Sequence, residues 1–220
     1  MKSSATRTSS VSRRYDNSRR AEAARSTRRR IVEAAAELFT ASGFAATSVR
    51  AIAELADTSP ETIYATFGTK SAVLQAWIDE AVAGEHAVAM RDLPAAAAVL
   101  ADPDPERKVW GHARILTEIN QRVAVPLQVL RAAASADAKL AEVAADNERR
   151  RRADIAFFLD DFVSVWPLRE DLTNERAIDI VAALTSPDLY QALVTDAGWT
   201  HDEYATEIVR LVRSSFAARG

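Results

Sequence analysis

The chain has no cysteine in its 220 residues. That excludes disulfides, thiolate catalysis and Cys-ligated zinc, and it fits a reducing cytoplasm. Glycine and proline are scarce, at 6 and 7 residues. No uncharged apolar run approaches the roughly 18 residues that span a bilayer, so no membrane partner is expected. The N-terminus is Ser/Arg-rich and acid-poor, as in transit peptides, but lacks the apolar core of a secretory signal. The three histidines, His86, His112 and His201, lie far apart and show no metal-ligand spacing. Neither a Gly-rich phosphate loop nor a nucleophile–base spacing occurs. The sequence therefore predicts no enzyme, no cofactor and no metal site.

What remains is alanine, charge and helical periodicity. Alanine has the best helix propensity and Gly and Pro the worst, and no stretch of strand length alternates apolar with polar, so the fold class is all-α. The formal charge of −3 hides an asymmetry. Residues 1–30 hold ten Lys/Arg against Asp16 and Glu22, giving +8 there and −11 on the other 190 residues. A basic arm on an acidic body suits a polyanionic partner at one end, or a solubilising tail.

The arm, residues 1–24, is expected to be disordered to about residue 20 because it has almost no apolar residues. A first helix is predicted from near Arg25 to Ala41, with Ile31, Ala34, Ala35, Leu38 and Phe39 on one face. Gly43 ends it. Thr47 or Ser48 caps a second helix with Val49, Ile52, Ala53 and Ala56 inward. Ser59 caps a third, with Pro60 at its first position and Gly68 past its end. Thr69 caps a fourth. After a Pro- and Asp-rich break at 91–107, helices are predicted at about 106–123, 126–134, 138–165, 174–185 and 201–217, with a short one opening at "SPDLYQAL". The basic run "NERRRR" (147–152) lies mid-helix and is expected to form a salt-bridged face.

Two short helices joined by a tight turn describe a helix-turn-helix. The third helix is about 10 Å long, too short to be stable alone, so Ile63 and Phe67 must anchor it. Its outward side then carries Pro60, Glu61, Thr62, Tyr64 and Thr66. Such an end fits the DNA major groove, about 12 Å wide. Glu61 and Thr62 suit base edges, although Glu61 equally suits a helix N-terminus as a charge. Tyr64 and Lys70 suit phosphates.

The segment "TSVRAIAELADTSPETIYATFGTKSAVL" (47–74) resembles the DNA-binding signature of the TetR family of bacterial transcriptional regulators. Thr47, Ile52, Ala53, Ser59, Ile63, Tyr64, Phe67, Lys70 and, one place late, Leu74 carry the match, and Asp57 stands where the family usually has Gly. The resemblance implies a helix-turn-helix three-helix DNA-binding domain at 25–70 and a larger helical ligand-binding and dimerisation domain at 71–220. It implies DNA contact by Thr47, Ser48, Arg50, Ser59, Pro60, Glu61, Thr62, Tyr64, Thr66 and Lys70. It implies an effector pocket, for which Trp110, His112, Phe157, Phe158, Phe162 and Trp166 are candidates, suited to an apolar or aromatic molecule. It implies a homodimer through Ile178, Val181, Ala182, Ile208, Leu211 and Val212, although the same residues suit an internal core. The expected protein is a cytoplasmic, nucleoid-associated homodimeric repressor, released from a palindromic operator in double-stranded DNA by a small molecule. A helical enzyme and an architectural module with a degenerate helix-turn-helix are the alternatives.

Overall fold

The computed structural model describes residues 8–84, 93–165 and 167–216, and no strand occurs among them. The helices are α1 (Thr8–Ala46), α2 (Val49–Leu55), α3 (Pro60–Phe67), α4 (Lys70–Ala83), α5 (Pro94–Ala101), α6 (Pro105–Ala134), α7 (Ala138–Val165), α8 (Asn174–Leu184), α9 (Pro187–Tyr190) and α10 (His201–Phe216). A π-helical stretch, Gln191–Asp196, continues α9. The all-α expectation holds. The chain divides into two compact units, Met1–Trp77 and Ile78–Gly220, with the division inside α4.

In the first unit the expected face of α1 turns inward: Ile31, Ala35 and Phe39 are fully buried, as are Ile52 of α2, Ile63 of α3 and Val73 and Leu74 of α4. The helix begins at Thr8 rather than near Arg25 and includes positions expected to be disordered. Arginine and alanine are strong helix formers, and extending an existing helix avoids the cost of a new nucleus. Gly43, at φ +77°, interrupts α1 where the sequence predicts its end.

The second unit is built on α6, which packs against α5, α7, α9 and α10. Pro126 lies inside this continuous helix, where two separate helices are expected from the sequence. Val123, Ala124, Pro126 and Leu130 are all buried, and that packing offsets the backbone hydrogen bond that proline cannot donate. The Pro-rich break also contains a helix, α5, whose Leu93 and Ala96 are buried against Ile115, Ile119 and Val123 of α6 and Phe158 of α7. Gly111 permits this approach: a Cβ there would lie 2.4 Å from Val99 Cγ2. A second apolar layer joins Val109 and Ala113 to Leu159, Phe162, Ala177, Val209 and Phe216.

Polar groups pin the helices at defined points. Lys108, 5% exposed, donates to both Asp161 carboxylate oxygens at 2.7 and 2.8 Å and to Leu100 O at 2.9 Å. Asn120 donates to Thr185 O and to the Tyr204 hydroxyl. The basic run is paired as expected: Arg149 and Arg150 with Asp146, Arg151 with Glu148, and Arg152 with Asp179.

Candidate nucleic-acid interface and ligand cavity

Local chemistry sets the helix-turn-helix. The Ser48 hydroxyl accepts from Ala51 N at 3.0 Å and caps α2. At the far end Thr58 N bonds to Ala53 O and Asp57 N to Glu54 O, the paired closure of a Schellman motif. That closure needs a left-handed residue after the cap, and Asp57 supplies it at φ +48°. Ser59 then caps α3, accepting from Thr62 N, with Pro60 in the first turn. Gly68, at φ +78°, stops α3 after Phe67. The length of α3 is thus fixed from both ends.

On α3 Ile63 faces inward, and Glu61, Tyr64 and Thr66 are exposed. Tyr64 is 53% exposed, a large aromatic side chain left in solvent beside a filled core. Thr62 is half-buried and its hydroxyl lies 3.2 Å from Ser59 Oγ. Thr66 donates back to Thr62 O. The Glu61 carboxylate is held below its usual range by its own backbone N–H and by the Ser59 hydroxyl, so it acts as a helix N-terminal charge. Arg50 is exposed and pairs with Glu54 one turn along. Arg28 of α1 stacks 4.6 Å over the Phe67 ring, and Arg30 approaches Asp57 at 3.8 Å.

Two expected contact residues lie elsewhere. Thr47 is buried, and its hydroxyl donates to Gly43 O at 2.8 Å and Leu38 O at 3.2 Å. Lys70 donates to Phe44 O and Thr47 O, both at 2.7 Å, and desolvation lowers its pKa. Both side chains clamp the junction of α1, α2 and α4.

In the second unit a cavity of about 80 Å³ lies among α6, α7, α8 and α10. Of the expected pocket residues, His112, Phe158 and Phe162 line it. Trp110 lines a separate surface depression with Glu106, Arg107, Gly111 and Arg114. Phe157 is 42% exposed and sits edge-on against Phe158 outside the cavity. Trp166 and His86 lie outside the described residues. The aliphatic lining, including Val109, Leu116, Ile155 and Val209, was not singled out from the sequence. Its signal was the apolar spacing 109, 113, 116 along α6, which is less conspicuous than the aromatics.

Three residues expected at a dimer interface, Val181, Ile208 and Val212, also line this cavity. Ala182 is buried, Ile178 is partly buried against the chain's own core, and Leu211 is half-buried. These faces of α8 and α10 look toward α6 and α7, because the two short helices close one side of the second core.

The cavity is almost entirely apolar. Thr185 is buried and its hydroxyl donates to Val181 O. His112 Nε2 is buried without a hydrogen-bond partner among the described residues. Burial lowers the imidazole pKa to about 4, with Asp161 opposing and Lys108 adding to the shift. The ring is therefore neutral at pH 7. Among the described residues no group of three or more His, Asp or Glu is arranged to hold a metal, and no helix is long and apolar enough to cross a membrane.

Residues 31–77 match the family model for bacterial regulatory proteins of the tetR family. Solved structures share the fold of nearly the whole chain. One is a tetR-family regulator from Rhodococcus sp., 15% identical, with a TM-score of 0.67 over 87% of this chain and 99% of that one. The regulator PfmR from Thermus thermophilus is 22% identical, with a TM-score of 0.58 over 86% of this chain and 99% of that one. The regulator FadR from Bacillus subtilis, solved with stearoyl-CoA, is 14% identical, with a TM-score of 0.63 over 86% of this chain and 98% of that one. No curated protein sequence matches the chain.

Proposed function

We propose that this chain, which belongs to the TetR family of bacterial transcriptional regulators, is a homodimeric repressor whose hold on a palindromic operator is relieved by a small apolar effector. The observation that carries this is α3: capped by Ser59, stopped at Gly68 and anchored by Ile63, it leaves Glu61, Tyr64 and Thr66 exposed on a helix short enough to enter a groove end-on. Tyr64 and Arg50 meet phosphates, with the Ser48 hydroxyl and the exposed N-terminus of α2 beside them. Thr62 is the base-edge candidate, where a threonine methyl meets a thymine methyl. Thr47 and Lys70 position these groups from behind.

A twofold dimer presents two α3 helices to successive major-groove segments, about 34–36 Å apart or wider, and so demands a palindrome. The partner copy packs on α8 and α10, where Ala183 and Arg210 are exposed and Leu211 is half-buried. The effector occupies the apolar cavity. The Bacillus subtilis regulator of the same fold, solved with stearoyl-CoA, supports a small-molecule effector that carries an apolar chain. Ligand-induced release operates through the second unit, where Arg122 of α6 donates to Ala81 O and Val82 O near the end of α4, the helix that also carries Lys70. A coupling of about 1–3 kcal/mol between effector and operator is typical of such systems.

Selection of genomic DNA fragments on the purified protein tests this reading. A shared palindrome is expected among bound fragments, with affinity falling steeply as salt rises. No enrichment of any fragment over random DNA would refute it.

A further inference from the structure

We propose that the cavity among α6, α7, α8 and α10 selects an uncharged, mainly aliphatic molecule bearing a hydroxyl group, which pairs with His112 Nε2. The assignment rests on the cavity being the effector site.

The lining leaves one polar atom unused. Thr185 commits its proton to Val181 O, and the other lining side chains are hydrocarbon apart from His112. His112 Nε2 is shut off from solvent and has no partner among the described residues. A buried polar atom left unpaired costs about 1–3 kcal/mol. A bound group that pairs with it recovers that cost only when the ligand is present, so the atom contributes selectivity rather than stability.

The charge environment decides what the group is. No charged side chain among the described residues lines the cavity. The nearest buried cation, Lys108, lies one turn before His112 on α6 and already spends three donors on Asp161 Oδ1, Asp161 Oδ2 and Leu100 O. A carboxylate or ammonium in the cavity would be desolvated with no counter-charge to meet it. A hydroxyl escapes this penalty. It also donates and accepts, and so pairs with the imidazole in either tautomer.

Leu116, Ile155 and Val209 in the lining are aliphatic, which suits a hydrocarbon chain.

The test is calorimetric titration of the full-length protein at pH 7.5 with 1-hexanol, sodium hexanoate and hexanoyl-CoA. Hexanol is expected to bind at least tenfold more tightly than either of the others. His112→Phe, which keeps the apolar shape, is expected to weaken hexanol about tenfold, and His112→Gln, which restores a hydrogen-bonding group, to recover most of that loss. If His112→Phe fails to fold, the wild-type ranking and His112→Gln still decide. Hexanoate or hexanoyl-CoA binding as tightly as hexanol, equal hexanol affinity in wild type and His112→Phe, or no hexanol binding would overturn the assignment. The DNA selection is read separately. Enriched fragments without hexanol binding sink the hydroxyl assignment alone, and hexanol binding without enriched fragments sinks the regulator reading alone.

Discussion

Lys70 lies 4.1 Å over the ring of Phe44 while its ammonium donates a 2.7 Å hydrogen bond to the carbonyl oxygen of that same residue. A second 2.7 Å bond reaches Thr47 O. One cation from the start of α4 thus satisfies two carbonyls in the segment that leads into α2. Lys70→Met is expected to lower unfolding free energy by roughly 1–3 kcal/mol, because it strands both acceptors. Operator affinity is expected to fall for all sequences alike. The slope of log affinity against log salt should stay unchanged, since no phosphate contact is removed. A slope reduced by about one, with unchanged stability, would show Lys70 to be a phosphate ligand instead.

Tyr64 predicts the opposite pattern. Its side chain is 53% exposed and packs no core, so Tyr64→Phe should change stability by no more than about 0.5 kcal/mol. It should nonetheless weaken operator and non-operator DNA severalfold. Thr62→Ala keeps the Ser59 cap on the Thr62 backbone N–H and should alter preference at one base position only. Binding to a library of single-base operator variants separates the two. Equal losses at every position for Thr62→Ala would remove it from base reading.

Asp57 holds a left-handed backbone at φ +48°, in the position after the α2 cap that closes a Schellman motif. Asp and Asn tolerate this region better than other side chains but less well than Gly. Asp57→Gly is therefore expected to stabilise the first unit by about 0.5–1 kcal/mol. Asp57→Val, β-branched at the same φ, should cost about 1–2 kcal/mol or more. Denaturant unfolding of both variants checks this, and an Asp57→Val protein as stable as wild type would show that the turn relaxes out of the left-handed region.

What the sequence disclosed was whatever depended on near neighbours. Ser59, Pro60 and Gly68 set the limits of α3 within ten positions, so caps and breakers were enough to find it. The face of α1 followed from periodicity alone. Lys70 was legible as a candidate phosphate contact but not as a clamp, because its acceptors lie 26 and 23 positions earlier. The Lys108–Asp161 pair spans 53 positions and leaves no local trace. Trp110 and Val109 differ by one position, or about 100° around a helix, and that step moved the aromatic out of the cavity and the valine into it. Pro126 looked like a helix boundary because proline is costly in isolation, and the buried flanks that tolerate it are tertiary.

His112 gives a pH signature that tests its burial independently of any ligand. Its ordinary pKa of 6.5 falls to about 4 in the folded chain, chiefly through burial, with the opposing pull of Asp161 and the added push of Lys108. Above pH 6.5 the ring is neutral in both states and contributes no pH dependence. Between 6.5 and about 4 the unfolded chain takes up a proton that the folded chain refuses, so stability falls as pH falls, by roughly 3 kcal/mol at most. Below about pH 4 both states carry the proton and this loss stops growing. Carboxylates titrate in the same window, and His112→Phe leaves them all in place. The difference between wild-type and His112→Phe unfolding free energies, measured from pH 7.5 to 4.5, therefore isolates the imidazole. Wild type is expected to lose about 2–3 kcal/mol more than the variant across that range. Parallel curves would mean that the ring is solvated in the folded state, and His112 would then not be the buried polar group of the cavity.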